Sequence, residues 1–178
     1  MSATTTPVPL AEYLASSYRP DRDYLEGEVK ERRLGERPHS LVQAYFVRVF
    51  GVNGREWKVW VQPEQRVQVR PERYRVPDIC VLVRDQPFEN IVTHPPLLCL
   101  EILSPGDSLS ELQERVDDYA AMGVQHIWTV DPTRRRAYLA SPTGFVQPQG
   151  RELAIPGTPI RISLDELFAE LDEAGQTP

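Results

Sequence analysis

The segments YRVPDICVLVR (residues 74–84) and LLCLEILS (residues 97–104) are two almost continuous apolar runs. Strands that are covered on both faces have this composition, so the two runs predict successive strands inside a sheet. Each run carries one acidic residue in its interior, Asp78 in the first and Glu101 in the second. A carboxylate within a buried strand is costly unless it is paired or binds a cation. The two acids are therefore the first candidates for a functional site.

Two long helices are predicted around these strands. Residues 39–50 repeat apolar side chains at positions i, i+4 and i+8, and Gly51 follows them as a stop signal. Residues 108–123 begin with Ser108 and Glu111 in the spacing of a capping box and end at a glycine. The wide apolar stripe of the first helix indicates that it packs on a sheet.

The remaining segments extend the sheet and close the chain. Two short alternating runs around Glu26 and Gly27 predict a hairpin. The order of elements predicts an α/β fold, a mixed sheet flanked by helices in a single domain. We expect residues 1–20 to form an N-terminal arm with a short helix and residues 21–175 to form the domain. Further strands are predicted at residues 57–62, 65–71 and 126–131, followed by an antiparallel meander and a helix that begins after Ser163.

Composition and charge indicate an ordinary globular protein. Of the 178 residues, 40% are hydrophobic and 26% are charged, which excludes a disordered chain, a collagen-like repeat and a coiled coil. No apolar run approaches the roughly 18 residues of a membrane span, and the N-terminus lacks the features of a secretory signal. We therefore expect a cytoplasmic protein without membrane contact. The net charge of −6 excludes a globally basic surface, and Cys80 and Cys99 are expected to be buried thiols.

The chemistry of the acidic pair leaves two interpretations open. Asp78 and Glu101 can face each other across the sheet and hold a hard cation such as Mg²⁺, which favours carboxylate and carbonyl oxygens. Alternatively, each carboxylate stands at the end of a strand and caps a neighbouring loop. The spacing favours the first interpretation. Glu101 follows the Pro77–Asp78 step by 23 residues and directly precedes a Ser-Pro turn and a capped helix, which is the pattern of a nuclease fold.

The chain resembles the Uma2 family, also called DUF820, a bacterial group in the PD-(D/E)xK superfamily of restriction-endonuclease-like proteins. Pro77–Asp78 and Glu101 match the two acidic positions of the superfamily motif. The other matching segments run in order across about residues 20–145 and are YLEGE from Tyr24, RPH from Arg37, LEILSP from Leu100, YAAMGV from Tyr119 and IWTVDP from Ile127.

The resemblance implies a metal-dependent endonuclease that hydrolyses phosphodiester bonds in DNA. Asp78 and Glu101 would ligate Mg²⁺ or Mn²⁺, with the main-chain carbonyl of Ile102 as a third ligand. The metal would lower the pKa of a bound water and offset charge on the scissile phosphate. A homodimer is plausible, since cutting two strands needs two sites and two-fold dimers are the commonest oligomers. The alternative is a catalytically weak or inactive module of the same fold that binds nucleic acid or a protein partner.

The sequence departs from the superfamily motif at its lysine. Two residues after the second acid, where the motif has lysine, this chain has Leu103. In relatives of this family the lysine comes from the following helix, four residues before a tyrosine, and here that position is Arg115, before Tyr119. An arginine there would be purely electrostatic, because it stays protonated and cannot act as a general base. The alternative is an exposed helix arginine that pairs with Glu111 or Asp118.

Several other residues have a functional and a structural interpretation. His39 precedes a helix and would contact a phosphate or act as a base, or else cap the helix N-terminus. Glu26 would approach the site from the hairpin as a secondary catalytic participant, and Glu28 and Glu64 are further candidates, although all three also fit a solvated surface. The cluster Arg134–Arg136 would contact a DNA backbone or form a solvated turn. The residues expected to be structural are His94, His126 and, in the core, Trp57, Trp60 and Trp128.

Overall fold

The structure, a computed structural model, describes residues 6–32 and 36–176 of the chain. Its helices are α1 (Leu10–Ala15), α2 (Arg37–Asn53), α3 (Leu109–Met122) and α4 (Leu164–Gln176), with one 3₁₀ turn at Gln149–Arg151. Its strands are β1 (Asp23–Leu25), β2 (Glu28–Lys30), β3 (Val59–Pro63), β4 (Val67–Arg70), β5 (Arg73–Arg75), β6 (Ile79–Val83), β7 (Leu98–Ile102), β8 (His126–Asp131), β9 (Arg136–Ser141), β10 (Gly144–Val146), β11 (Glu152–Ala154) and β12 (Arg161–Ser163).

A six-stranded sheet in the order β10-β9-β8-β7-β6-β3 forms the centre of the fold. Strands β7 and β8 are parallel and the other neighbours are antiparallel, so the sheet is mixed, as predicted. A parallel pair needs a crossover connection, and α3 supplies it between β7 and β8.

Helices cover both faces of this sheet. On one face, α2 and α4 pack against a cluster that includes Ile79 and Leu100, and on the other face α3 packs against a cluster that includes Cys80 and Cys99. Strands β6 and β7 are therefore buried on both sides, which explains their continuous apolar composition. Cys80 and Cys99 are free, buried and directly opposite each other, as neighbours in register, and the prediction of buried thiols is confirmed.

A second, antiparallel sheet in the order β2-β1-β5-β4 lies beside the first and includes the predicted hairpin. Its turn consists of Glu26 and Gly27, both with positive φ, and a Cβ on Gly27 would lie 3.0 Å from the Cβ of Pro7. Residues 6–20 of the predicted arm pack on this sheet, because α1 buries Tyr13 against Tyr24 with ring centroids 4.9 Å apart, and residues 1–5 of that arm lie outside the described residues. The domain boundary at residue 20 stays a prediction.

Three local expectations are wrong. The run 74–84, predicted as one strand, is divided into β5 and β6, which belong to different sheets and are separated by residues 76–78. Helix α2 continues past Gly51 to Asn53, because Phe50 is fully buried and the amide of Trp57 then bonds the carbonyl of Asn53 at 2.8 Å. Trp60, predicted in the core, is 51% exposed because β3 is an edge strand whose alternation turns this side chain outward. None of the helices in the described ranges is both long enough and apolar enough to cross a membrane.

Candidate active site

The two acidic residues lie together where the central strands β6 and β7 meet one end of the sheet. The antiparallel register pairs Ile79 with Leu100, so Asp78, directly before β6, lies beside Glu101 of β7 on the face that α3 covers. A cleft of about 420 Å³ opens there between the N-terminal turn of α2, the hairpin and α3, and Asp78 lines it. Glu101 lines an adjoining cavity of about 40 Å³. Both carboxylates are only 2% exposed, so they form a buried pair, as the apolar runs predicted.

Asp78 is held as a carboxylate by three donors. Its Oδ2 accepts the backbone N–H of Ile102 at 2.7 Å and lies 3.2 Å from Nε2 of His39, and its Oδ1 accepts from Nη2 of Arg32. Burial raises the pKa of Asp78, but the hydrogen bond from His39 and the charge of Arg32 outweigh burial and hold that pKa below its ordinary value. Asp78 is therefore ionised and already faces a positive charge.

Glu101 receives its partners from one face of α3. Its Oε1 accepts the hydroxyl of Tyr119 at 2.5 Å, and its Oε2 lies 2.9 Å from Nη1 of Arg115. The sequence placed Arg115 and Tyr119 on adjacent helical positions, and both contact the same carboxylate. Burial raises the pKa of Glu101 above its ordinary value, because the lowering by Arg115 is smaller and the charge of Asp78 adds to the rise.

Arg115 is not the surface residue of the alternative interpretation. Besides contacting Glu101, Nε of Arg115 lies 3.7 Å from Oδ2 of Asp23. The side chain is 24% exposed and lines the cleft. Asp118, one of the two surface partners considered, instead accepts from Arg73 and Arg75 at 2.8 and 2.6 Å.

His39 does not cap the N-terminus of α2. The N-cap position belongs to Glu36, and His39 is the third residue of the helix and lines the cleft. Burial lowers the pKa of His39, but the hydrogen bond to Asp78 outweighs burial and raises that pKa above its ordinary value. The imidazole is therefore a proton-bearing donor to Asp78.

Two buried residues of the site were missed by sequence reasoning. Asp23, the first residue of β1, is 1% exposed and accepts from the amide of Val76 and from Arg75, each at 3.0 Å. Arg32, with a side chain that is 8% exposed, follows β2 and bonds Asp78. Asp23 and Arg32 belong to a segment that looks like a polar hairpin, and no local pattern distinguishes Arg32 from the neighbouring Arg33.

The structure does not bring the three secondary glutamates into the cleft. Glu26 is not among the lining residues and instead bonds Arg70 and Arg73 at 2.9 and 2.8 Å, so its carboxylate is neutralised outside the site. Glu28 is exposed. Glu64 is also exposed, and its Oε1 lies 3.8 Å from Nη1 of Arg32. The expected role of Glu26 therefore has no support in the geometry.

The remaining candidates lie elsewhere. His94 pairs with Glu89 at 2.9 Å. Arg134 pairs with Asp131 at 3.0 Å and Arg135 with Asp172 at 2.6 Å. Both arginines line a separate cavity of about 290 Å³, so the arginine cluster is a paired surface turn rather than part of the cleft.

The oxygen atoms of the acidic pair are ligands of the kind that a hard divalent cation prefers. In residues 6–32 and 36–176, no three histidine, cysteine or acidic side chains are grouped as metal ligands. Two carboxylates remain, Asp78 and Glu101, together with the main chain of Ile102, whose amide contacts Asp78. The guanidinium of Arg32 on Oδ1 shows that this position attracts positive charge. Oxygen ligands of this kind suit Mg²⁺ or Mn²⁺.

Residues 10–172 match the family model Uma2, which is described as "Putative restriction endonuclease". The match covers most of the chain. The chain belongs to the Uma2 family. The crystal structure of "a putative nuclease belonging to DUF820" from Anabaena variabilis ATCC 29413 superposes with a TM-score of 0.78 at 23% identity and covers 93% of this chain and 99% of that one. The predicted family and the restriction-endonuclease-like α/β fold are thus confirmed.

A second structure, the DrdV–DNA complex from electron cryomicroscopy, has a TM-score of 0.44 at 16% identity and covers 78% of this chain and 11% of that one. A likeness this low supports no argument. A search of curated proteins finds no significant match to this Uma2 chain.

In this Uma2 chain the residue at the position of the motif lysine is Leu103, and its side chain carries no charge. Leu103, at the lysine position, continues the pairing of β7 with β8, and its amide bonds the carbonyl of Val130 at 2.8 Å. The cation beside Glu101 comes instead from α3, as Arg115.

Proposed function

We propose that this Uma2 protein is a divalent-metal-dependent endonuclease that hydrolyses phosphodiester bonds in DNA. The observation that carries the proposal is the buried pair Asp78 and Glu101. The two acids lie side by side at the ends of two central strands, next to a cleft. Burying two carboxylates is costly without compensating charge, and a fold that retains both in contact with a cleft favours a cation-binding role. The family description supports DNA as the substrate.

The metal would be Mg²⁺ or Mn²⁺, held by Asp78, Glu101 and the main-chain carbonyl of Ile102. When bound, such an ion lowers the pKa of a water and offsets charge on the scissile phosphate. The charge of the cleft supports a need for the ion. Of the described residues that line the cleft, six are acidic, four are lysine or arginine and one is the proton-bearing His39, so a divalent ion would offset the remaining negative charge where a polyanion binds.

The side chains of the cleft have separate roles in this proposal. Arg115 holds Glu101 in place and stabilises negative charge on the phosphate, and it takes no proton because arginine stays charged. His39 donates its Nε2 proton to Asp78, which orients the ring and leaves Nδ1 as the nitrogen that would exchange a proton with the substrate. Tyr119 fixes the other oxygen of Glu101. We expect the protein to act in the cytoplasm as a homodimer, since two sites are needed to cut both strands.

The test is cleavage of a supercoiled plasmid with Mg²⁺ or Mn²⁺. We expect nicking that EDTA abolishes and that Asp78→Asn reduces by at least about 100-fold, the usual scale for losing a metal-ion contribution of several kcal/mol. Asp165→Asn, at an exposed acid paired with Arg151, is the matched control and should cleave like the wild type. Equal cleavage by Asp78→Asn and the wild type would show that contamination, and not this site, is responsible.

A second candidate function is supported by the absence of the motif lysine. Leu103 stands at that position, and the cation at Glu101 is Arg115, which stays charged and exchanges no proton; the lysine among the described residues of the cleft is Lys30, at the end of β2. A catalytically weak module of this kind would bind DNA or a protein partner through the cleft without hydrolysing phosphodiester bonds at an appreciable rate. Metal-dependent binding of duplex DNA with no cleavage, in a protein that also binds Mn²⁺, would establish this alternative.

A further inference from the structure

Arg32 is a buried cation that contacts a proposed metal ligand. Its Nη2 donates to Oδ1 of Asp78, and its Nη1 lies 3.8 Å from Glu64. The side chain is 8% exposed and lines the cleft. Of the residues in the cleft, Arg32 therefore stands where a metal ion would meet Asp78.

Asp78 cannot keep this contact and bind a metal ion on the same oxygen. Its Oδ2 is already held by the amide of Ile102 and by His39, while Oδ1 has Arg32 as its donor. A divalent ion on Oδ1 would lie within contact distance of the guanidinium, where like charges repel strongly because the surroundings are buried. The ion and Arg32 therefore compete for Oδ1.

The guanidinium of Arg32 is also incompletely bonded. Its Nε is buried and has no hydrogen-bond partner in the described part of the chain. A buried donor without an acceptor is unfavourable, so the position beside Asp78 does not use all the donors that Arg32 has. Phosphate is the acceptor that the planar fork of arginine matches best, since it can take two N–H groups at once.

The position of Arg32 in the chain allows it to move. Arg32 follows the end of β2 at Lys30 and precedes the start of α2 at Arg37, and it belongs to no helix or strand. Arg115, by comparison, is fixed in α3 between Glu101 and Asp23. Within the described residues Arg32 belongs to no strand, so its displacement from Asp78 leaves both sheets intact, whereas the same displacement of Arg115 would separate it from two acids.

We propose that Arg32 is the phosphate-binding residue of this site, held by Asp78 in the free protein and released to the DNA backbone when a divalent ion takes Oδ1. This inference rests on the proposed function. It makes Arg32 both an internal competitor for the metal and a contact for the substrate. Loss of its charge therefore has opposite effects on the two ligands: the metal binds more tightly and DNA binds more weakly.

Calorimetric titration of Mn²⁺ tests the first half. Arg32→Gln should bind Mn²⁺ about tenfold or more tightly than the wild type, because the competing charge is gone. Arg48→Gln removes an exposed arginine of α2 that pairs with Glu170 and should leave the affinity unchanged. If Arg32→Gln unfolds, Arg32→Lys keeps a charge and loses the planar fork, and we expect about threefold tighter Mn²⁺ binding.

Anisotropy of a labelled duplex, measured with Ca²⁺ as a hard ion for the same oxygens, tests the second half. DNA binding by Arg32→Gln should weaken about fivefold or more in spite of the tighter ion. Mn²⁺ affinity equal to the wild type, or unchanged DNA affinity, would overturn this inference and leave the proposed function standing. If neither the wild type nor the variants bind Mn²⁺, even with DNA present, both the inference and the proposed function fail.

Discussion

At the scale of single residues, the partners of a buried carboxylate decide whether its pKa lies above or below its ordinary value. Asp78 and Glu101 are equally buried, yet the pKa of Asp78 lies below its ordinary value and that of Glu101 lies above. His39 and Arg32 converge on Asp78, whereas Glu101 has Arg115 as its close cation. Neither direction follows from the sequence, because the partners of each acid come from other parts of the chain. The identity of the two acids, in contrast, was clear from their place in apolar runs.

Arg115 should stabilise the fold as well as the site. Arg115→Met leaves Glu101 buried without its close cation, and we expect a loss of about 3–5 kcal/mol in the free energy of unfolding. Arg115→Lys retains the charge and should lose less than half as much. Urea unfolding at neutral pH measures both. Arg48→Met is the control, since its salt bridge is exposed and should contribute little. Equal stability of the Met variant and the wild type would show that Arg115 is not what compensates Glu101.

His39 should make the stability depend on pH with a defined sign. Burial alone would lower the pKa of His39 in the folded protein, but the hydrogen bond with Asp78 outweighs burial and raises it. The stabilisation is therefore complete below the ordinary value, near pH 6.5, and is lost as the pH rises through the raised pKa. The melting temperature of the metal-free wild type should fall over that range, and His39→Gln should flatten the fall.

His126 gives a matched contrast for this pH experiment. Burial lowers its pKa, so its contribution is present above about pH 6.5 and is lost as the pH falls. His126→Gln should therefore leave the alkaline decline in melting temperature unchanged. If His39→Gln melts with the same pH profile as the wild type, the pairing of His39 with Asp78 does not contribute to stability.

At the scale of elements, local signals predicted α3 well and the end of α2 poorly. Ser108 accepts the amide of Glu111 at 3.1 Å and Gly123 has a φ of 104°, so both predicted ends of α3 are correct. These end signals are contained within a few residues. Gly51 gave a similar stop signal, but the buried ring of Phe50 and its contact with Trp57 keep α2 helical beyond it. Tertiary packing of this kind is not visible in a local pattern.

The two glycines should respond in opposite ways to alanine. Gly123→Ala forces a Cβ into a left-handed conformation and within 3.3 Å of Pro95, and we expect a loss of about 1–2 kcal/mol. Gly51→Ala places a Cβ where nothing lies within 4 Å in a helix, and we expect a gain of about 0.5–1 kcal/mol. Chemical unfolding of the two variants measures both changes. A stabilised Gly123→Ala would contradict the assigned helix end.

At the scale of the whole molecule, an ion-pair network joins the small sheet to α3 along one wall of the cleft. Arg75 of β5 bonds Asp23 of β1 and Asp118 of α3, and Arg73 also bonds Asp118. The paired residues are 43 to 52 positions apart in the chain. Apolar periodicity predicts which strands and helices exist, and it carries no information about pairs at such separations. Asp78 and Glu101 stand out because they interrupt apolar runs, and Arg115 is a candidate through the resemblance to the family, whereas Asp23 and Arg32 have neither signal.

The central claim is that a divalent ion binds between Asp78 and Glu101. Anomalous scattering from crystals grown with Mn²⁺ tests it most directly, because the position of the metal is located without reference to activity. The account predicts one strong peak within bonding distance of both carboxylates and of the Ile102 carbonyl, at about 2.0–2.3 Å, with the guanidinium of Arg32 displaced from Asp78. An ordered crystal in Mn²⁺ with no peak at this position, and Arg32 still bonded to Asp78, would contradict the account.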